Sequence, residues 1–448
     1  MYDLIVIGAG PGGYEAAAHA ARMGKKVALA ERQYVGGTCL NVGCIPTKAF
    51  LKSSKVFTEC RNAAVYGVST GDVRFDLPAV VARKNKVVGT LTRGVESMLK
   101  RAGVEIIRGH ARLASRSAVS IGGETLEARN ILIASGSRPA VPPIPGIDSE
   151  TVLDSTAALN LTSVPDRLAI IGGGYIGLEF ASFFAAVGAR VTVLEMLPQI
   201  AAGTDQDIAN RLQQALRKSG IEFKTSCRVT RIEGDAVRFV SQDGSETSLT
   251  ADRILNSTGR APVLADLSLE EAGVDFDSKG IRTSDQGKTN VPGVWACGDV
   301  TGRRLLAHAA TREGIVAVNN MFGGKDRIRY DAIPAVIYTH PEVAGVGKTE
   351  EELRAQGIEY RKAVVPMAVA GRFLVENEGG SGTLKVLAGA RHGEILGVHA
   401  IGDSSSEFIV AAAAMVEFEM CAAEARQLVF PHPTVSEALR EAILELKQ

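Results

Sequence analysis

Twice in this chain a short apolar run leads into a glycine turn, a helix-length stretch and a second apolar run that ends in an acid. The first copy is Leu4–Ile7, Gly8-Ala9-Gly10-Pro11-Gly12-Gly13, Tyr14–Met23 and Val27–Ala30, closed by Glu31. The second is Leu168–Ile171, Gly172-Gly173-Gly174-Tyr175-Ile176-Gly177, Leu178–Val187 and Val191–Leu194, closed by Glu195. Gly24 and Gly188 end the helical stretches, and in both copies the acid stands 23 positions after the first glycine. Runs this short and apolar read as strands covered on both faces. Strand, helix and strand in succession require an α/β fold with parallel sheets.

Each position in the turn has a physical task. Gly8 and Gly172 permit a tight strand-to-helix turn, Gly10 and Gly174 let the backbone approach a pyrophosphate, and Gly13 and Gly177 let helix and strand pack closely. The helix N-terminus offers free N–H groups and a positive dipole end to the anion. Glu31 and Glu195 can accept from a ribose 2′-hydroxyl. A lone Gly-x-Gly-x-x-Gly is a common turn, and two empty Rossmann-like turns are the bland alternative. Two copies with correctly spaced acids favour two dinucleotide sites. No Lys or Arg occurs from Glu195 to Asn210, so NAD is expected there rather than NADP.

Composition narrows the class. The 48 glycines among 448 residues show no period of three, and 46% of residues are hydrophobic, so neither collagen nor low complexity explains them. Basic and acidic residues balance at 50 each, with no arm or tail for nucleic acid. Met1-Tyr2-Asp3 lacks a basic signal-peptide start, and the longest apolar stretch, Ile409–Val416, is too short to cross a membrane. A cytoplasmic protein with no membrane partner is expected. Leu77–Arg101 reads as a helix, Val104–Ile107 and Asn130–Ile133 as strands, and Val141–Pro145 as a domain crossing. Strands near Arg228–Val240 and at Arg253–Leu255 are expected to continue the parallel pattern. Val294–Ala296 leads into Cys297-Gly298-Asp299, and a helix follows from about Leu306 to Met321. After Tyr330, strands alternate with amphipathic helices and no glycine fingerprint recurs.

Of six cysteines, only Cys39 and Cys44 lie close together, in Gly36-Gly37-Thr38-Cys39-Leu40-Asn41-Val42-Gly43-Cys44-Ile45-Pro46-Thr47-Lys48. Pro46 suits a first helical turn, which places Cys44 at a helix N-terminus, where the dipole stabilises a thiolate. Lys48 follows four residues on, over the same face. Cys39 is expected in the preceding loop. Two core thiols or half a zinc site are the alternatives, but no second Cys/His pair stands at ligand spacing and no metal is expected. A redox disulfide beside a dinucleotide site is the better reading. Cys60, Cys227 and Cys421 read as buried thiols and Cys297 as a packing residue. In the tail, Thr434-x-x-Glu437 has the spacing of a capping box, which would leave His432 a loop residue.

Together with Val294–Asp299, Leu306-Ala307-His308, Tyr338–Gly347 and Phe430–Glu437, these segments make the chain resemble the pyridine nucleotide–disulfide oxidoreductases, especially the dihydrolipoamide dehydrogenase branch, over essentially its whole length. The resemblance implies two Rossmann-like domains, for FAD and NAD, and a C-terminal α+β dimerisation domain. Residues 1–144 would form the FAD domain, 145–262 the NAD domain, 263–329 a return to the FAD side and 330–448 the interface of a homodimer. Gly8, Gly10, Gly13, Glu31, Lys48, Ala111, Ser135, Gly136, Asp299 and Ala307 would meet FAD. Gly172, Gly174, Tyr175, Gly177, Glu179, Glu195, Val229 and Gly259 would line the NAD site, Tyr175 covering an empty nicotinamide pocket and Glu179 pairing with Lys48.

Cys39 and Cys44 would form the redox disulfide, with Cys39 the interchange sulfur. His432, oriented by Glu437, would be the acid–base reaching the other subunit's disulfide. The activity implied is oxidation of dihydrolipoamide by NAD⁺, the dithiol being carried on a lipoyl domain of an acyltransferase or on a glycine-cleavage H protein. A glutathione- or mycothione-reductase-like enzyme, or a flavoprotein assembly subunit with an idle disulfide, are the alternatives. Phe430-Pro431 departs from the branch, which usually carries a histidine two positions before the catalytic one.

Overall fold

The structure is a computed structural model that describes residues Met1–Lys447. It divides into two compact units. The first comprises Met1–Ala49, Ala79–Ala140 and Gly259–Ile328; the second comprises Phe50–Pro78, Val141–Thr258 and the chain from Arg329 onward.

The first unit is built on a seven-stranded sheet. Its parallel part runs Glu105–Arg108, Val27–Glu31, Tyr2–Ile7, Glu124–Ile133 and Val294–Ala296. The near end of Glu124–Ile133 continues into an antiparallel meander with Ala118–Ile121 and Ala111–Ser115. Alternate residues bury on opposite faces: Leu4, Val6 and Leu132 pack with Ala16, Ala17 and Val318, while Ile5, Ile7 and Ile133 pack with Leu267, Leu269 and Ile281. Helix Pro11–Arg22 starts three residues earlier than its apolar pattern indicates, because Gly10 is the N-cap and Pro11 fits the first helical position.

The second unit carries the repeat. Its parallel sheet has the order Glu222–Lys224, Arg190–Leu194, Arg167–Ile171, Arg253–Asn256, Val152–Leu153. The region Arg228–Val240 departs from the expected parallel pattern. It forms an antiparallel ribbon, Arg228–Glu233 with Ala236–Val240 and Glu246–Thr250, because Gly234 at φ 63° turns the chain back at once. From Ala335 on, a five-stranded antiparallel sheet packs against helices Ser405–Glu417 and Glu437–Glu445.

Residues 50–78, placed with the first domain by sequence, group with the second unit. Phe50 lies 4.8 Å from Phe183 and Phe75 lies 5.9 Å from it, centroid to centroid, so an aromatic cluster draws this segment there. No helix is long and apolar enough to cross a membrane among the described residues.

Candidate active site

The two glycine turns share a hydrogen-bond pattern as well as a sequence pattern. Ala9 N–H and Gln33 N–H donate to the two oxygens of Glu31, at 2.8 and 2.7 Å. Gly173 N–H and Leu197 N–H donate to the two oxygens of Glu195, at 2.6 and 2.7 Å. Each acid is thus fixed by the middle residue of its turn and by the residue two beyond itself. A carboxylate has about four acceptor sites, so each can still take a ligand hydroxyl.

The glycines separate by what a Cβ would meet. At Gly13 and Gly177 it would lie 1.9 and 2.2 Å from the carbonyl oxygens of Gly8 and Gly172, so the protein itself excludes side chains there. At Gly8 and Gly172 the excluding atoms are the carbonyl oxygens of Ala134 and Ser257. Gly10 and Gly174 differ: a Cβ there would meet nothing within 4 Å, and their φ values of −71° and −78° suit any residue. Each opens on space at a helix N-terminus, the setting in which a pyrophosphate fits.

The cysteine segment is fastened to the first turn. Gly36 N–H donates to Ala9 C=O at 2.8 Å, and a Cβ on Gly37 would lie 2.6 Å from Gly10 Cα. Cys44 opens helix Cys44–Arg61, and Lys48 follows one turn later. Cys39 lies in a short helix, Gly37–Val42, rather than in the expected loop; Gly36 at φ 95° begins that helix and Gly43 ends it. The Cys39 thiol is hydrogen-bonded to Cys44, and that bond, with burial, pushes its pKa up. Sequence reasoning missed Tyr14 in the first turn of the fingerprint helix. Its phenol is raised to about 12 by burial first, then by Glu15, Cys39 and Cys44.

Elsewhere in this unit, Asp299 accepts from Ser137 Oγ at 2.5 Å, and Arg260 donates through Nε to Ser137 Oγ and through Nη2 to Ser137 C=O, both at 2.7 Å. Burial raises the Asp299 pKa against these partners. Ser137 and Arg260 were not singled out by sequence. Their signal is the pair of similar crossings, Ser137–Pro139 and Arg260–Pro262, which form an antiparallel ribbon. Ser135 Oγ donates to Val263 C=O at 2.9 Å, and Gly136 takes φ 73°. Ala111 is buried at the start of its strand, and Ala307 is the first residue of helix Ala307–Met321. Cys297 is buried in the core with Leu4 and Val6.

In the second unit, Tyr175 opens helix Tyr175–Ala186, and Glu179, one turn later, is 5% exposed, accepting from Tyr338 N–H at 3.0 Å. Val229 is packed in the core beneath Ile171 and Leu194. Of the thiols expected to be buried here, Cys227 is, while Cys60 and Cys421 are only half-buried. Gly259, expected on the NAD side, falls in the first unit, where its carbonyl accepts from Ala140 N–H.

His432 and Glu437 meet. Imidazole Nδ1 lies 2.9 Å from Glu437 Oε1, and Glu437 Oε2 accepts from Thr434 N–H at 3.0 Å. An ionised carboxylate only accepts, so Nδ1 carries the hydrogen; in the neutral imidazole Nε2 then has the lone pair. Hydrogen bonds from His432 and Thr434 lower the Glu437 pKa, and the His432 side chain is 78% exposed. The expected capping box is half present. Glu437 returns to Thr434 N–H, but the Thr434 hydroxyl donates to Pro431 C=O at 2.8 Å and sits 2.7 Å from Ser436 Oγ.

Residues 2–314 match the model for the pyridine nucleotide-disulphide oxidoreductases, and residues 333–443 match that family's dimerisation domain. The chain is 42% identical to dihydrolipoyl dehydrogenase 3 of Pseudomonas aeruginosa, over 99% of this chain and 98% of that protein. It is 39% identical to the dihydrolipoyl dehydrogenase of Bacillus subtilis, over 98% of each. Among solved structures it superposes on the HOCl-induced flavoprotein disulfide reductase RclA from Escherichia coli, with TM-score 0.87 and 30% identity over 100% of each chain. It also superposes on LpdA from Mycobacterium tuberculosis, with TM-score 0.90 and 25% identity over 99% of this chain and 100% of that one. Dihydrolipoyl dehydrogenases use FAD and NAD as cofactors. Two open dinucleotide turns, a cysteine pair fastened to one of them and full-length kinship place this chain in the pyridine nucleotide-disulphide oxidoreductase family.

Proposed function

We propose that the chain oxidises dihydrolipoamide to lipoamide with NAD⁺ as acceptor, as a cytoplasmic homodimer. The observation that carries this reading is the fastening of the Cys39–Cys44 segment to the first glycine turn through Gly36 and Gly37. Gly8, Gly10, Gly13 and Glu31 would hold FAD, with Lys48, Ala111, Ser135, Gly136, Asp299 and Ala307 around it. Gly172, Gly174, Gly177 and Glu195 would hold NAD, with Tyr175, Glu179 and Val229 about the site. Bound FAD supplies two-electron exchange between the thiols and the nicotinamide.

The chain's own residues supply the rest. With Nδ1 committed to Glu437, Nε2 of His432, contributed from the partner subunit, accepts the proton of one substrate thiol. A thiol of ordinary pKa, about 8.5, attacks poorly until it loses that proton. The thiolate then attacks Sγ of Cys39 in the oxidised pair. The Cys39–Cys44 bond breaks, and its electron pair leaves on Cys44. This direction is favoured because Cys44 stands at the helix N-terminus, and a stabilised thiolate is the better leaving group. The second substrate thiol attacks the mixed disulfide at the substrate sulfur and releases the cyclic product. Its proton passes to Cys39, leaving one proton on Cys39, one on His432 and a thiolate at Cys44.

Following lipoamide reduction by NADH and by NADPH tests the reading. Turnover with NADH is expected. No lipoamide turnover, with NADPH-driven reduction of another disulfide, would overturn it.

A further inference from the structure

Helix Leu77–Arg101 carries six Lys and Arg and a single acid, Glu96, in a chain with 50 charges of each sign. With 3.6 residues to the turn, Arg83, Lys86, Arg93, Lys100 and Arg101 fall within about one third of the helix circumference, and all five are exposed. Ala82, Thr90 and Ser97, the exposed residues between them, are small. Lys84 and Leu99 are buried on the other side, where Val95, Met98 and Leu99 pack on the core of the unit.

The fold makes little use of this face. Glu96 pairs away from it, with Arg108 at 2.5 Å. Among the described residues no carboxylate pairs with Lys86, Arg93, Lys100 or Arg101. Lys100 and Arg101 lie in the last turn, where the negative end of the helix suits a cation. Lys86 and Arg93 have no such reason, and like charges gathered on one face weaken a helix. The helix is nevertheless fastened beside the redox segment. Arg83 Nη1 donates to Ala49 C=O at 3.1 Å, and Thr92 Oγ1 donates to Asn41 Oδ1 at 3.3 Å. Asn41 and Ala49 bracket Cys44 and Lys48 in the chain.

We propose that the exposed face of helix Leu77–Arg101 is the docking surface for an acidic protein domain that carries the dithiol substrate to Cys39. The inference rests on the reading of the chain as a dihydrolipoamide-oxidising enzyme. A dithiol tethered to a protein brings that protein's surface to the rim of the site. This face stands beside the cysteine segment, so the carrier that fits it presents carboxylates there. A second copy of the chain is a poor occupant, because two copies of the face meet charge to charge. Lys86, Arg93 and Lys100 recur every seven residues, about 10 Å apart, and together span about 20 Å, the reach of a protein contact rather than of a small dithiol. Such a face speeds productive encounter and leaves the chemical step alone.

The test is steady-state oxidation, by NAD⁺ and the FAD-loaded enzyme, of two substrates: free dihydrolipoamide, and a purified acyltransferase lipoyl domain in its dithiol form. The pair Lys86→Glu and Arg93→Glu should lower kcat/KM for the domain by about ten- to a hundredfold at low salt, through KM, and leave free dihydrolipoamide within about twofold. The pair Lys86→Arg and Arg93→Lys should behave as the wild type. Raising ionic strength from about 0.01 to about 0.15 M shortens the screening length from about 30 to about 8 Å, and should slow the wild type on the domain while the Glu pair changes little. The pair Arg116→Glu and Lys279→Glu makes the same change of charge at other exposed positions of this unit, and should leave both substrates unaffected. Equal losses on the two substrates, no loss on either, an equal loss in the Arg116 and Lys279 pair, or a loss confined to NADH-driven reduction of a small anionic disulfide such as glutathione disulfide overturns the docking surface. A domain left unoxidised while free dihydrolipoamide is turned over overturns the carrier alone. Failure of the wild type on both substrates overturns the activity reading with it.

Discussion

Six fingerprint glycines look alike in sequence, but only four of them are required by atoms of the chain itself. Gly13 and Gly177 are required by carbonyl oxygens of their own turns, and Gly8 and Gly172 by neighbouring strand ends as well as by φ values above 100°. Gly10 and Gly174 are required by neither sterics nor backbone. Alanine at Gly10 or Gly174 should therefore leave the melting temperature nearly unchanged. It should weaken cofactor binding roughly tenfold or more, since a methyl forced into a filled contact costs about 1–3 kcal/mol. Alanine at Gly13 or Gly177 should instead impair folding before binding can be measured. Flavin content and NAD⁺ titration beside thermal melts would check this. A Gly174→Ala protein that melts normally and binds NAD⁺ normally would show that the ligand does not run past that position.

At the scale of elements, the strand–turn–helix–strand units were legible because glycine spacing and four-residue apolar runs leave few alternatives. Helix starts were less legible, since Gly10 and Gly174 serve as caps without a capping side chain. The ribbon Arg228–Thr250 was misread because apolar content does not report strand direction; Gly234 was the available sign. Cys39 was placed in a loop because a six-residue helix with glycines at both ends carries no amphipathic pattern. The last helix shows the opposite case, a motif read correctly for the wrong bond. Thr434-x-x-Glu437 brings Glu437 to Thr434 N–H, but the threonine hydroxyl serves the loop rather than the helix. Thr434→Ala should then change activity little compared with Glu437→Ala, which loses both the His432 contact and the Thr434 N–H bond. His432→Ala should slow dithiol oxidation by roughly 10²–10⁴-fold, the usual contribution of a positioned general base. Stopped-flow reduction of the oxidised protein by dihydrolipoamide measures each variant. Equal losses in Thr434→Ala and Glu437→Ala would mean that loop geometry, and not the carboxylate, sets the imidazole.

At the scale of the whole molecule, the sequence could not announce a buried charge cluster in the second unit, where Lys385 Nζ lies 2.9 Å from Asp205 and 2.7 Å from Glu350, because the three come from distant segments. Lys385 is flanked by apolar residues in its strand, and Asp205 stands where a helix begins, so neither position by itself points to a buried ion pair. The cluster nevertheless makes a prediction for acid stability. Burial by itself would raise the Glu350 carboxyl, but hydrogen bonds from Lys362, Lys385 and Tyr360 hold it down at about 2. In the unfolded chain a glutamate titrates near its ordinary value, about 4.3. The folded state therefore binds this proton less readily than the unfolded state, and acid favours unfolding. The stabilisation is fully present above the unfolded pKa and is lost as pH falls from about 5 towards about 2. Glu350→Gln removes the titrating group, so its melting temperature, lower at neutral pH because Lys385 and Lys362 lose a partner, should fall less steeply over that window than that of the wild type. Parallel slopes in calorimetric melts from pH 6 to pH 3 would show that the acid limb belongs to other carboxylates, of which Asp403 and Asp326, each held at about 2 by basic partners, are the next to replace.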